Sequence, residues 1–91
     1  ASALFFEEIL ASDATPRRVL HHAISSYQRA VGERALTATA PFLNSGDVQL
    51  RLSAVEAIRA NGGIKGRELL VQRAQLETNG VVLEKLQVAV R

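Results

Sequence analysis

The sequence contains no cysteine, and this absence removes several classes of chemistry at once. Disulfide bonds, zinc-thiolate sites and thiol catalysis all need a cysteine sulfur, so none of them is available to this chain. A chain without cysteine suits a reducing or an oxidising compartment equally well, so the location stays open, with the cytoplasm favoured. Methionine is absent as well and the first residue is Ala1, so we expect these 91 residues to be a piece of a longer polypeptide.

Long apolar runs are also missing. No stretch approaches the roughly 20 consecutive apolar residues of a membrane-spanning helix. The opening ASALFFEEIL lacks the cationic start of a signal peptide. We therefore expect a soluble protein without a membrane partner.

Aromatic residues are scarce, with three Phe, one Tyr and no Trp, so Ala, Leu, Val and Ile supply nearly all of the 47% of residues that are hydrophobic. That composition favours tightly packed helices. A chain of 91 residues makes one small domain, in which every helix face must contribute buried surface. The formal charge of +2 neither demands nor forbids a nucleic-acid partner.

Helix-breaking residues recur along the chain at 12–16, 32, 44–46, 61–66 and 79–80. They predict six short helical segments. Thr15 is the expected N-cap of the second segment with Pro16 as its first helical residue, and Asp47 is the expected N-cap of the fourth. Pro41 is expected to kink or fray the end of the third segment. The predicted segments span residues 3–11, 15–32, 33–43, 47–63, 66–78 and 81–91.

The predicted segments repeat with a period slightly above thirty residues, two helices to each period. A shift of 31 residues aligns Val19, Ala23, Ile24, Tyr27 and Gly32 with Leu50, Ala54, Val55, Ile58 and Gly63. A shift of 33 residues aligns Leu43, Val48, Leu50 and Val55 with Leu76, Val81, Leu83 and Val88. This period is typical of an α-solenoid, in which no unit buries its apolar face alone and neighbours must stack.

The stretch LNSGDVQLRLSAVEAIRANGG resembles the second-helix half of a HEAT repeat. The matching residues are Asp47, Leu50, Arg51, Ala54, Ala57 and Ile58. The first unit echoes this pattern with Asp13 and Arg17, whereas the third has Asn79 and Leu83 in place of the Asp and the Arg. The resemblance implies an all-α, right-handed α-solenoid of about three HEAT-like helical hairpins in a single domain. Its repeats are expected at about residues 1–32, 33–63 and 64–91.

Arg51 falls inside the apolar stripe of the fourth segment, between Leu50 and Ala54. A guanidinium buried between helices needs a hydrogen-bonding or anionic partner, so we expect Arg51 to be buried with an acidic or carbonyl partner. In the repeats that this sequence resembles, such an Arg pairs with the capping Asp of its own or the adjoining repeat. Asp47 lies four residues before Arg51, the favourable order for a pair on one helix, so the two residues are expected to stitch the fold together. A ligand contact by Arg51 is the alternative.

No residue pattern in the sequence predicts catalysis, a metal or a cofactor. His21 and His22 are adjacent and point about 100° apart on a helix, so they cannot grip one metal ion together. Ser25 lies four residues from His21, without a strained nucleophile turn or oxyanion donors. The glycines of NGGIKGRE lack the spacing of a phosphate-binding loop, which favours an ordinary turn between repeats over an anion site.

The pattern therefore favours a non-enzymatic, protein-binding scaffold, whose partner is another protein or the remainder of the parent chain. The expected binding face combines exposed positions of the second and fourth segments: Arg18, His21, Ser25, Arg29, Gln49, Ser53 and Glu56. The C-terminal segment carries more apolar surface than one neighbour covers, so self-association through it is also expected, on Val82, Leu83, Leu86, Ala89 and Val90.

Two other functions stay open. A nucleic-acid-binding helical array would use a stripe of basic residues: Arg17, Arg18, Arg29, Arg34, Lys65, Arg67 and Arg73. Acidic residues interleave with that stripe, which favours a mixed, solvated surface with little net attraction for phosphate: Glu33, Glu56, Glu68, Glu77 and Glu84. The third possibility is a helical accessory domain of a larger enzyme.

Overall fold

The computed structural model describes residues 16–91, and the helix predicted at residues 3–11 lies outside this range. The described chain is all-α and contains no strand. The five α-helices are α1 (Arg17–Val31), α2 (Leu36–Thr39), α3 (Val48–Asn61), α4 (Gly63–Ala74) and α5 (Gly80–Ala89). None of these described helices is long and apolar enough to cross a membrane.

Helix α3 lies at the centre of the molecule, between α1 and α5, and packs against both. Helix α4 contacts α3 and α5 on the other side, where it meets the turns around α2. Arg17 and Asp47 bond at the N-terminal ends of α1 and α3, and Gln28 bonds to the carbonyl of Asn61 at their C-terminal ends. These two bonds show that α1 and α3 run parallel.

Helix α1 ends where the sequence predicts and starts one residue later than it predicts. Gly32 follows the last helical residue with a φ of 73°, a left-handed conformation that glycine adopts without strain. Pro16 is the N-cap, with an extended ψ of 145°, rather than the first helical residue. The prediction for Pro16 is therefore wrong by one position.

The prediction of one helix over residues 33–43 is wrong. The chain forms a 3₁₀ helix at Gly32–Ala35, the single turn α2, and a second 3₁₀ helix at Ala40–Asn44. Pro41 explains why α2 ends at Thr39, because it has no backbone N–H and its ring excludes the carbonyl of a preceding turn of α-helix. The 3₁₀ helix at Gly32–Ala35 lies before that turn and has no such explanation.

Asp47 caps α3 as predicted, with its carboxylate accepting bonds from the backbone N–H groups of Gln49 at 2.8 Å and Leu50 at 3.3 Å. Only Gly62 separates α3 from α4, and Gly63 starts α4 with a φ of 67°. Helix α4 thus occupies residues 63–74 rather than the predicted 66–78.

The α3–α4 corner is tightly packed around Ile58. A Cβ atom added to Gly66 would lie 2.9 Å from the Cγ2 methyl of Ile58, so the two helices approach too closely for any larger residue there. Helix α5 begins at Gly80, one residue before the prediction, and Asn79 caps it through the N–H groups of Val81 and Val82 at 2.9 and 3.2 Å.

The core consists mainly of small and medium aliphatic side chains, as the composition predicts, together with Tyr27, and α3 contributes to both of its clusters. One cluster joins α3 to α4, α5 and the turns around α2: Leu36, Leu43, Ala54, Val55, Ile58, Leu70, Val82 and Leu86. The other joins α3 to α1: Ala23, Ile24, Tyr27, Ala35, Leu50 and Ala57. Helix α3 therefore fixes the positions of α1 and α5 relative to each other.

Candidate partner-binding face

The structure brings together most of the residues predicted to bind a partner. Five of the seven line one open groove of about 510 Å³ between α1 and α3: His21, Ser25, Gln49, Ser53 and Glu56. Lys85 of α5 closes one side of it. Arg18 and Arg29 do not line the groove, but both are exposed, and their spacing of seven and four residues from Ser25 places them on the same side of α1.

A side-chain hydrogen bond joins the two helices within this groove. His21 Nδ1 shares it with Ser53 Oγ, and both side chains are half-buried. The two residues lie 32 positions apart, one more than the shift of 31 residues that aligns α1 with α3. The repeat period was the sequence signal for this pairing, which sequence analysis did not make.

A second groove, of about 490 Å³, continues the surface from α3 to α5. We call it the valine groove after its exposed residues Val81 and Val88, which are 64% and 52% exposed. Its other lining residues are Glu56, Arg59, Glu84 and Lys85. The two grooves share Glu56 and Lys85 and form one continuous surface, which we call the inner face.

Glu56 is neutralised where the two grooves meet. Its carboxylate lies 3.3 Å from Lys85 Nζ and 3.6 Å from the guanidinium of Arg59. All three side chains are nearly half exposed, so each pair contributes little to stability. The pairs nevertheless cancel the negative charge that Glu56 would present to a ligand.

Asp47 and Arg51, the predicted stitch, do not pair with each other. Asp47 pairs instead with Arg17 of α1 at 3.1 Å. The hydrogen bond from Arg17 lowers the pKa of Asp47; burial opposes this shift, and the backbone N–H groups of Gln49 and Leu50 support it. This ion pair is largely exposed, with Arg17 62% accessible.

Arg51 is buried, with only 12% of its side chain exposed, and its partner is Glu77 in the turn between α4 and α5. The guanidinium donates from Nε to Glu77 Oε1 at 3.0 Å and from Nη2 to Oε2 at 3.2 Å. Its Nη1 donates to the carbonyl of Ser45 at 2.6 Å. A bidentate bond of this kind fixes both the distance and the relative orientation of the guanidinium and the carboxylate.

Glu77 is the shared anion of a buried cluster. Its side chain is fully buried and also accepts a bond from Arg73 Nη2 at 3.2 Å and from the backbone N–H of Asn79 at 3.0 Å. Arg73 in turn donates to Asn44 Oδ1 at 2.6 Å. The expectation that Glu77 and Arg73 belong to a mixed, solvated surface is therefore wrong, because the turn after α4 folds the carboxylate back between the two guanidinium groups.

The protonation of Glu77 should set the acid stability of the fold. Burial raises the pKa of this carboxyl, but the bonds from Asn79, Arg73 and Arg51 together outweigh it and leave the pKa below the ordinary value of 4.5. Its contribution to stability is therefore complete above pH 4.5 and is lost as the pH falls through the lower folded-state value.

Urea unfolding measured from neutral pH to pH 3 checks this expectation. We expect the free energy of unfolding to fall below about pH 4.5, and the fall to be smaller in Glu77→Gln, which has no proton to gain there. An identical pH dependence in the two proteins would assign the loss to other carboxyl groups.

A second buried polar group, not anticipated from the sequence, joins three elements. Gln28 is fully buried, and its Nε2 donates to the carbonyls of Gly32 at 2.6 Å and Asn61 at 3.1 Å. The buried Thr39 hydroxyl lies 2.6 Å from Gln28 Oε1, to which it donates, and 3.1 Å from the carbonyl of Ala35. The sequence did hold a signal, since Gln28 is a polar residue four positions after Ile24 in the apolar stripe of α1.

The glycine-rich start of α4 faces a carboxylate of the chain itself. Glu33 Oε2 accepts a bond from the backbone N–H of Lys65 at 3.4 Å. The same oxygen would lie 2.6 Å from a Cβ atom on Gly63. This arrangement supports the expectation of a structural turn rather than an anion site. Among residues 16–91 no group of three or more His, Asp or Glu side chains is placed to hold a metal ion.

No protein-family model matches the sequence, and no curated protein or solved structure is significantly similar to it.

Proposed function

We propose that this protein is a non-catalytic scaffold for protein–protein interaction, built as a right-handed α-solenoid of HEAT-like hairpins. The observation that carries the proposal is the regular spacing of the bonds between neighbouring units. Bonds from α1 to α3 join residues 30, 32 and 33 apart, and bonds from the 3₁₀ helices around α2 to α4 join residues 32 and 29 apart. The pair of Arg51 and Glu77 departs from this spacing, at 26 residues, because Glu77 lies in the turn after α4. Units that repeat at a constant offset along the chain stack side by side and present an extended surface.

The inner face is the surface that we assign to the partner. It is continuous over α1, α3 and α5, and it combines polar groups with exposed valines, as protein-binding surfaces do. The buried polar bonds of Gln28 and Arg51 lie behind it and hold the helices in place. A preorganised face of this kind binds without a large cost in conformational entropy.

Selection of random peptides from a display library against the chain tests this function. We expect enriched peptides, and we expect Gln49→Trp, which fills the α1–α3 groove, to weaken their binding by at least about tenfold. Gln72→Trp is the matched control, since Gln72 is exposed like Gln49 but lies on α4, away from the inner face. Peptides that bind both variants equally would contradict the assignment of the face, and a selection without enriched peptides would contradict the function.

A nucleic-acid-binding array is the second candidate, favoured by the neutralisation of Glu56. Duplex and single-stranded probes titrated at two salt concentrations test it. A phosphate contact at the inner face would give a steep salt dependence whose slope falls by about two when Arg18 and Arg29 are both replaced by Ala. We expect weak binding that disappears at moderate salt, because no described aromatic side chain lines either groove to stack on a base.

The remaining candidates use the same surfaces for a different partner. An accessory domain of a larger enzyme would dock its inner face on the remainder of the parent chain. Self-association would use α5, on which Val82 and Leu86 are fully buried within the described chain, whereas Val81 and Val88 are exposed. Sedimentation across a range of concentrations separates self-association from docking on the parent chain.

A further inference from the structure

The inner face is cationic at one edge and apolar at the other. Helix α1 contains three Arg, two His and no acidic residue. Arg17 is paired with Asp47, whereas Arg18 and Arg29 have no ion pair with any residue in the described range. The valine groove at the α5 edge instead offers the side chains of Val81 and Val88.

The two grooves themselves are neutral, because Arg59 and Lys85 balance Glu56 and Glu84, and the positive charge of this surface comes from the α1 edge beside them. Glu56 is shared by Lys85 and Arg59, so Glu84 is the one acidic residue of the two grooves that has no ion pair in the described range. Electrostatic complementarity therefore favours an acidic partner over a basic one, and it favours the α1 edge as the place where the acid lies.

We propose that the inner face takes a protein segment that crosses the three helices, with an acidic pair beside Arg18 or Arg29 and an apolar side chain between Val81 and Val88. The two Arg lie eleven residues apart on α1, about 16 Å along the helix, so a crossing segment meets one of them and the other adds to the field at that edge. This inference rests on the proposed function and specifies the chemistry of its partner. The apolar anchor supplies buried area, while the acidic residues set the direction in which the segment lies.

Helix packing sets the spacing within such a segment. Packed helices lie about 8–10 Å apart, so the path from α1 across α3 to α5 covers about 16–20 Å. An extended chain advances about 3.3 Å per residue. The acidic residues should therefore lie about five or six positions from the apolar anchor.

Two other occupants fit the geometry less well. A nucleic acid would place phosphates near Glu84 and would find no aromatic side chain in either groove among the described residues. A second copy of the chain would have to bring its own cationic α1 to this cationic edge or leave Arg18 and Arg29 without a partner. An acidic, apolar segment satisfies both edges of the face.

Two focused peptide libraries test the inference on the intact chain. In one, a fixed acidic pair is separated from a fixed Leu by about five or six random residues, the separation that helix packing gives. The other is identical except that Lys replaces the acidic pair. We expect the acidic library to yield the binders, and the Arg18→Glu/Arg29→Glu variant to weaken them by about tenfold and to prefer the Lys library instead.

A variant at the other edge locates the apolar anchor. Val88→Asp should weaken the same peptides by about tenfold, while Val71→Asp on α4, a matched exposed valine, should not. The inference is overturned if the two libraries yield equal numbers of binders, or if the Arg variant does not come to prefer the Lys library, while random peptides still bind the face.

If no library yields peptides whose binding Gln49→Trp weakens, the proposed function is overturned as well. Sedimentation as a dimer that Val88→Asp dissociates, or tighter binding of a DNA probe, would each assign the face to another occupant.

Discussion

Replacing Glu77 by Gln should lower the free energy of unfolding by about 3–5 kcal/mol, the largest loss expected from any single substitution discussed for this chain. Gln keeps the shape of the side chain but removes the charge that faces both Arg51 and Arg73. These guanidinium groups are only 12% and 17% exposed, so water cannot replace the lost anion. Urea unfolding at neutral pH measures the loss.

Glu68→Gln is the matched control for this substitution. Glu68 lies on α4, is exposed and has no ion pair in the described structure, so its replacement should change stability by less than about 0.5 kcal/mol. A Glu77→Gln protein as stable as this control would show that the buried cluster contributes nothing to the fold.

Replacing Gln28 by Ala should lower the free energy of unfolding by about 2–4 kcal/mol. The substitution removes both Nε2 bonds and leaves the carbonyl of Asn61 and the hydroxyl of Thr39 with fewer partners in the interior. It also leaves a cavity, because Gln28 is fully buried. Thermal or urea unfolding of the variant measures the effect.

Two comparisons make the test of Gln28 specific. Gln49→Ala removes the same side chain from an exposed position on α3 and should cost less than about 0.5 kcal/mol. In a double-mutant cycle, Thr39→Val should cost less in the Gln28→Ala background than alone, since its partner is already gone. Strictly additive losses would show that the 2.6 Å bond between Thr39 and Gln28 carries no energy of its own.

Local signals predicted two of the helix ends correctly. The Asp47 cap and the stop at Gly32 depend on hydrogen bonds and backbone angles within a few residues, so the sequence contains all of the information needed. Pro41 gave a correct local signal as well, but its effect was underestimated, since α2 ends at Thr39, before the proline itself.

Long-range partners were not predictable in the same way. Arg51 has a buried acidic partner, but Glu77 lies 26 residues away, and only the conformation of the turn after α4 brings it there. The repeat pattern equated Leu76 with Leu43 and Val88 with Val55. The structure leaves Leu76 and Val88 68% and 52% exposed, whereas Leu43 and Val55 are buried. Sequence similarity between repeats does not reveal which repeat has neighbours on both sides.

The part of the candidate face between α1 and α3 was predictable, because the repeat period sets the register of these two helices. That register brings His21 and Ser53 into contact and aligns Ser25 with the same groove. The valine groove was not predicted, because it depends on how far α5 is displaced from α3. Arg18 and Arg29 share the side of α1 with Ser25 but lie beside the grooves rather than in them.

The two ends of the contact between α1 and α3 are held by different kinds of bond. At the N-terminal ends, the described bond is an exposed ion pair between Arg17 and Asp47, which salt screens and thermal motion breaks easily. At the C-terminal ends, the fully buried Gln28 connects both helices and does not exchange with water. The bond between His21 and Ser53, one turn further along α1 than Arg17, also joins the two helices. High salt should therefore weaken the contact at the Arg17 end alone, while Gln28 keeps the position of α1 relative to Asn61.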